Sequence, residues 1–430
     1  MSAATLTTPE PIVEEPRHVT VISWKTPITL AVVTALEALL LLARPREGDV
    51  HFRFSEPTDR WAVASLTVDG MTAAWWCVAV LALLTVAAVA FVAARRKVPI
   101  WLPMLFAFAA LVGFLSWAGA GSARDFPVVS LIGGSVLLAV PLVFGALGGV
   151  VGERAGVVNI AIEGQLLAGA FCAAFVGSLT DSPVAGLVAA ILAGTLVALV
   201  LGLFAITYMV NQVIVGVVLN VLVLGLTSFL YSQVLVPNAQ TLNTTTRFQP
   251  IAIPLLSDIP VIGPALFRQT ALVYLMYITV PVVWFALFRT RWGLRLRSVG
   301  EHPKAADTVG IKVPQVRYRA LLIAGGIAGV GGAFYTVVAM SSFGKEMTAG
   351  AGYIALAAVI FGKWDPVRAA LAALLFGASL NLQGALSVVS APVPPQFMLM
   401  LPYVVTILAV AGFVGRSRAP AADGEPYIKE

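Results

Sequence analysis

Charge is scarce in this chain. Of its 430 residues, Asp, Glu, Lys and Arg make up 11%, against 59% hydrophobic residues. No single soluble core could hide that much apolar surface, so the chain reads as a polytopic membrane protein. Cysteine is nearly absent: Cys77 and Cys172 lie in apolar runs without CxxC spacing, which excludes a disulfide framework or a thiolate metal site and leaves them as small buried residues. The three histidines, His18, His51 and His302, are scattered through the N-terminal tail and loops. No HExxH and no GxSxG occurs, so a membrane hydrolase or metalloenzyme is not expected and no catalytic residue is assigned. No G-x-x-x-x-G-K-[ST] occurs either: Gly344–Lys345 and Gly362–Lys363 lack the following hydroxyl and the preceding glycine. The chain has no phosphate-cradling loop of its own, and no cofactor is expected on it. Met1–Thr20 holds no apolar h-region and reads as a disordered tail, not a cleavable signal peptide.

What is present is a series of runs long enough to cross hydrocarbon. They lie near 22–43, 72–94, 100–119, 129–150, 156–178, 184–206, 211–233, 269–288, 319–340, 366–386 and 396–414, with a run at 350–362 too short to cross alone. The expected class is all-α, with about ten to twelve transmembrane helices including broken or re-entrant segments. Runs 21–121 carry Trp61, Trp75, Trp76, Trp101 and Trp117 near their ends, the interfacial belt of lipid-facing helices, and read as an added N-terminal module of about three spans. The core is expected over 129–415 as two related halves, with a short tail at 416–430. Glu37, in the first run, reads as a satisfied or lipid-edge carboxylate.

The formal charge of +6 sits in a few short loops and ends, which fits lipid headgroups and topology and not nucleic acid. Arg95–Arg96–Lys97, the segment 289–319, Lys363–Arg368 and Arg416–Arg418 all fall on one side if the N-terminus is inside, and the C-terminus is then inside too. Arg44–Gly70, of mixed sign, and Leu235–Gln269, rich in Asn, Thr and Pro, fall outside. The second has apolar pieces too short to span and reads either as an interfacial cap or as a structureless connector.

Segment 289–319 is the largest basic loop. Within it Glu301–Thr308 has the makings of a short helix: Pro303 suits a first turn, two alanines follow, and Gly310 supplies a stop. Such a helix is too short to stand alone and must pack on something. The loop either only sets topology or presents this helix to a cytoplasmic partner.

From Gly145 the runs become glycine-rich and polar at depth. Gly145, Gly148, Gly149 and Gly152 precede Glu153–Arg154, and Asn159, Glu163 and Gln165 follow. An ionised Glu163 in hydrocarbon costs several kcal/mol, so it faces a polar cavity, pairs or is protonated. Either a discontinuous helix lines a pathway here, or small residues pack closely around one satisfied carboxylate. Gly350 and Gly352 open a matching short segment, broken again at Gly362–Pro366. Asn211, Gln212, Asn220, Asn381 and Gln383 add uncharged amides within spans, which suits a polar neutral solute, although any one of them can simply bridge helices.

Four of these stretches, GERAGVVNIAIEGQLLAGAF (152–171), VNQVIVGVVLN (210–220), RSVGEHPKAADTVGIKV (297–313) and GYIALAAVIFGKWDP (352–366), together resemble the membrane permease subunits of bacterial ABC importers. The branch is the branched-chain amino acid, ribose and simple-sugar type, and within it the nucleoside permeases. The resemblance runs from about Ser130 to Val414 and leaves the first ~120 residues outside it.

The resemblance implies a permease paired with a second copy or a related permease in a bacterial plasma (inner) membrane, both termini cytoplasmic. It implies an ABC ATPase subunit or tandem ATPase holding ATP and Mg beneath, a substrate-binding lipoprotein above and lipids around it. By position it makes Gly300, Glu301, Pro303, Ala305, Ala306, Thr308 and Gly310 the helix that docks to the ATPase. It also points to Asn159, Glu163, Gln165, Asn211, Asn220, Gly352 and Tyr353 as residues along the path. The implied mechanism is alternating access, driven by ATP binding on the partner chains. The rival readings are an ion-coupled secondary transporter, with Glu163 or Glu37 carrying the proton, and a membrane protein of purely structural role.

Overall fold

The computed structural model describes residues 24–57, 59–388, 396–397, 400 and 418–429. Among them, ten helices are long and apolar enough to cross a membrane. The chain is a multi-pass membrane protein. The span expected near 396–414 lies almost wholly outside the described residues, as does the tail 1–20.

The N-terminal module comprises α1 (Lys25–Ala43), α2 (Gly70–Ala93) and α3 (Trp101–Gly119), packed around Leu30, Leu81, Leu84, Leu102 and Phe106. Between α1 and α2 the sequence reading missed a hairpin, β1 (Asp49–Arg53) with β2 (Leu66–Asp69), joined in parallel by β3 (Phe126–Pro127). Alternation over five residues is too brief a signal to separate these strands from a polar loop. The hairpin end ties the module to the rest: Asp59 pairs with Arg268 at 3.2 Å and Ser130 donates to Glu56 at 3.0 Å. Glu37 is buried against Gly113 and Cys77 with Oε1 unpartnered, neither satisfied nor at the lipid edge. Cys77 and Cys172 are free and half-buried, not fully buried.

The core begins with α4 (Val128–Arg154), α5 (Ile162–Thr180), α6 (Pro183–Gly202) and α7 (Gln212–Leu230). The segment 235–269 folds as short pieces, α8 (Ala239–Leu242), β4 (Ile251–Ala252), α9 (Ile262–Phe267) and β5 (Arg268–Gln269), none of which could span. There follow α10 (Ala271–Arg289), α11 (Arg291–Glu301), α12 (Pro303–Thr308), α13 (Val313–Phe334), α14 (Ala351–Phe361) and α15 (Pro366–Val388). The last turns of three spans widen into π-type turns at Leu203–Thr207, Tyr231–Leu235 and Tyr335–Met340.

At the centre is α13, whose small residues let neighbouring backbones approach. A Cβ on Gly329 would come within 2.2 Å of the Ala190 carbonyl, and one on Gly332 within 2.1 Å of the Leu166 carbonyl. With no hydrophobic drive between helices in lipid, such close van der Waals packing is what holds α13 to α5 and α6. The hairpin and segment 235–269 lie at one end of the bundle. Arg154, α11, α12, Lys363–Arg368 and Arg418 lie at the other, here called the basic end.

Candidate functional site

Two of the core helices, α5 and α14, begin inside the bundle beside each other. Helix α4 stops at Arg154, and Ala155–Ala161 returns into the bundle without helical hydrogen bonding before α5 starts at Ile162. Irregular backbone is tolerated there only if its polar groups find partners. They do: the Val158 N–H donates to Gln212 Oε1 at 2.7 Å, and the Ile160 carbonyl accepts from Asn220 Nδ2 at 2.8 Å. The Gly164 N–H, in the first turn of α5, donates to Asn220 Oδ1 at 2.8 Å. One amide side chain of α7 thus closes the break on both sides.

Helix α14 supplies the second break. Its 11 residues rise about 16 Å, roughly half the ~30 Å hydrocarbon thickness. The chain enters α14 through Gly350 in the left-handed conformation, φ +83°. Glu163 meets this half-helix start: Oε1 accepts from Thr348 Oγ1 at 2.6 Å and from the Gly350 N–H at 2.9 Å, and Oε2 accepts from the Gly352 N–H at 2.6 Å. A carboxylate is stabilised at a helix N-terminus, where free N–H groups and the peptide dipoles converge. The approach requires glycine at 352, since a Cβ there would lie 2.4 Å from the Glu163 nitrogen. Tyr353, half exposed, accepts from Asn220 Nδ2 at 3.3 Å and leaves a polar, partly open face beside the junction.

Of the path residues read from the sequence, the structure gathers Glu163, Asn220, Gly352 and Tyr353 in this one junction. Asn159 and Gln165 are fully buried and pair with each other at 3.0 and 3.1 Å, bracing the break from within. Asn211 lies apart at the start of α7, where its side chain accepts from the N–H groups of Val213 and Ile214. Thr348 was not among the candidates, and Gln212 was read only as one of the amides within spans. Thr348 is legible in retrospect, as a hydroxyl just ahead of two glycines that open a short helix.

The basic end is the second element. The short helix was expected over Glu301–Thr308 within a loop; instead Arg291–Glu301 is already helical, and His302 breaks it before α12 begins at Pro303. The Thr290 side chain accepts from the Gly293 N–H, and Gly293, Leu296, Val299 and Gly300 form the buried stripe. Glu301 thus ends α11. The stripe docks tightly, because a Cβ on Gly300 would meet the Arg154 carbonyl at 2.2 Å. Ala306 is buried with Val299 and Val313, whereas Glu301, Lys304, Ala305, Thr308 and Gly310 are exposed and Pro303 is half-buried. Around this end Arg154 and Arg297 flank the Phe288 ring at 5.7 and 5.0 Å, and Arg154 donates to the Trp364 carbonyl at 2.9 Å. The helix ends α4, α10 and α11 and the turn into α15 are thereby tied together.

The chain matches the family described as "Branched-chain amino acid transport system / permease component" over residues 131–410. It is 42% identical to the guanosine ABC transporter permease protein of Bacillus subtilis over 70% of this chain and 96% of that protein. It is 40% identical to a nucleoside ABC transporter permease of Lactococcus lactis, with the same two coverages. It is 36% identical to a putative glucose ABC transporter permease of Haloferax volcanii, over 70% of this chain and 98% of that protein. No solved structure matches. The chain belongs to this permease family and is a transport permease subunit.

Proposed function

We propose that this permease subunit forms half of the transmembrane path of an ATP-driven importer for nucleosides. The observation that carries the substrate is the 42% and 40% identity to guanosine and nucleoside permeases across nearly their whole length. The polar open face agrees with it: the half-exposed Tyr353 hydroxyl can donate its hydrogen to a neutral solute, while Asn220 and Glu163 are occupied by groups of their own chain. That occupation also argues against Glu163 as a proton carrier.

The subunit pairs with a second permease, a copy or a relative, and receives solute from an extracytoplasmic binding lipoprotein. On the basic end, which the positive-inside rule makes cytoplasmic together with both termini, α12 docks to an ATPase that holds ATP and Mg. ATP binding closes the ATPase pair, and the docked helices convert that closure into rigid-body movement. The energy available for the switch is the difference in ATP affinity between the two conformations. A simple sugar is the second reading, favoured by the relative at 36% identity. Competition for uptake in reconstituted vesicles, nucleosides against ribose and leucine, separates the readings.

A further inference from the structure

The basic end carries one element that the docking of α12 does not explain. Segment 418–429, far along the chain from α12, lies against it and is held by backbone and buried side chains. The Ala422 N–H donates to the Gly300 carbonyl at 2.9 Å, and the Ala421 N–H donates to Glu301 Oε2 at 3.2 Å, both where α11 ends. Tyr427 packs on the Val299–Ala306–Val313 cluster, and Lys429 pairs with Asp307 of α12 at 3.6 Å.

On its other side the same segment grips the membrane core. Arg317, in the first turns of α13, is the largest fully buried side chain described, and its guanidinium is spent on this segment. Nη1 donates to the Glu425 carbonyl at 2.7 Å and Nη2 approaches the Ala422 carbonyl at 3.5 Å. Asp423 lies within electrostatic reach of both Arg317 and Glu153, the penultimate residue of α4. Gly156, at φ +83°, leaves room for this layer: a Cβ there would come 2.9 Å from Arg317 Nη2 and 3.0 Å from the Ala422 carbonyl. An arginine delivers two directed bonds from one rigid fork, so Arg317 fixes the segment in orientation as well as in place.

We propose that segment 418–429 is a strut that holds the docking helix to the ends of α4 and α13, and that Arg317 is its positioning residue. The docking helix itself has little else to transmit force through, because it is six residues long and buries only Ala306. A push on α12 therefore reaches the base of α13 directly at the Ala306–Val313 contact, and reaches the break after Arg154 through α11 and through the strut. A cleft of about 670 Å³ separates Glu301–Ala305 from Ala421–Ile428, and Lys304, Ala305 and Thr308 of α12 stay exposed with the strut in place. This inference rests on the ATPase-docking role of α12 proposed above.

The test has two parts, applied to intact chain, to a variant lacking 419–430 and to Arg317→Met. In the assembled transporter in liposomes, both variants are expected to retain the ATPase and its basal hydrolysis within about threefold, while uptake and the solute moved per ATP fall at least tenfold. A merely unstable subunit would lose uptake and hydrolysis together and keep that ratio. Uptake within twofold of the intact chain overturns the strut, and so does loss of the ATPase from the truncated complex, which would make the segment part of the docking face. Amide exchange in the subunit alone gives the second part. Ala421 and Ala422 are expected to be protected in the intact chain and to exchange at least tenfold faster in Arg317→Met. Unprotected amides in the intact chain overturn the strut whatever the ATPase does. Failure of the intact complex to use ATP with those amides protected would instead count against the docking role of α12.

Discussion

Replacing Glu163 by glutamine probes the junction at its most sensitive atom. The two side chains have nearly the same volume, so packing is preserved and only hydrogen-bonding capacity and charge change. The carboxylate accepts from Thr348 and Gly350 on one oxygen and from Gly352 on the other. A carboxamide has one acceptor, and whichever way it turns, its NH₂ faces at least one backbone N–H of the α14 start. Losing one hydrogen bond to a charged group costs about 1.5–3 kcal/mol. Removing the negative charge from the half-helix terminus costs a further ~0.3–1 kcal/mol. Local opening of α14 should then become easier by about 2–4 kcal/mol, roughly 30- to 1,000-fold faster amide exchange at 1.4 kcal/mol per decade. Exchange of a peptide covering 346–356, measured by mass spectrometry in nanodiscs, reads this directly. Glu163→Ala, which strips the acceptor from all three donors, should exchange at least as fast. Exchange within threefold of wild type in Glu163→Gln would refute the claim that this carboxylate holds the start of α14.

Three further outcomes follow from other parts of the molecule. Glu301→Lys combined with Ala305→Trp alters exposed residues of the docking face, and ATP-driven uptake should fall at least tenfold with expression unchanged; retained uptake would remove α12 from the coupling role. Burial raises the Asp423 carboxyl to about 7, with Arg317 pulling the other way. Since the undocked group titrates near 3.8, docking of segment 418–429 takes up a proton, so it should weaken as pH rises from about 4 to about 7 and level off above. Protection of Ala422, corrected for intrinsic exchange, should fall over that range, and the fall should be smaller in Asp423→Asn. Deleting residues 1–120 should leave the core folded, because the module's ties to it are concentrated at the hairpin end; a core that no longer purifies as a monodisperse species would show the module to be integral.

Much of this architecture is legible in the sequence because lipid leaves the chain few options. Runs of apolar residues locate the ten described spans to within a few residues at most ends, and Gly350 with Gly352 announces a segment that cannot cross. Arg291–Glu301 was less legible. Its arginines and glycines read as a loop, yet a small-residue stripe turns out to be what a helix needs in order to lie against Arg154. The strands at 49–53 and 66–69 are too short for periodicity to register. The junction is half visible: Glu163, Asn220, Gly352 and Tyr353 each stand out as polar or permissive residues in apolar surroundings, but nothing in their spacing says that Glu163 meets Gly350, 187 positions away. Segment 418–429 was the least visible, since its hold depends on backbone groups that any residue possesses and on an arginine, Arg317, that reads as one more topological charge.

The most direct measurement is uptake of radiolabelled nucleosides by vesicles carrying this chain with its ATPase, second permease and binding protein, with and without ATP inside. Accumulation is expected to require ATP, to be competed by nucleosides and not to be competed by ribose or leucine. Accumulation driven by a proton gradient in the absence of ATP would contradict that expectation.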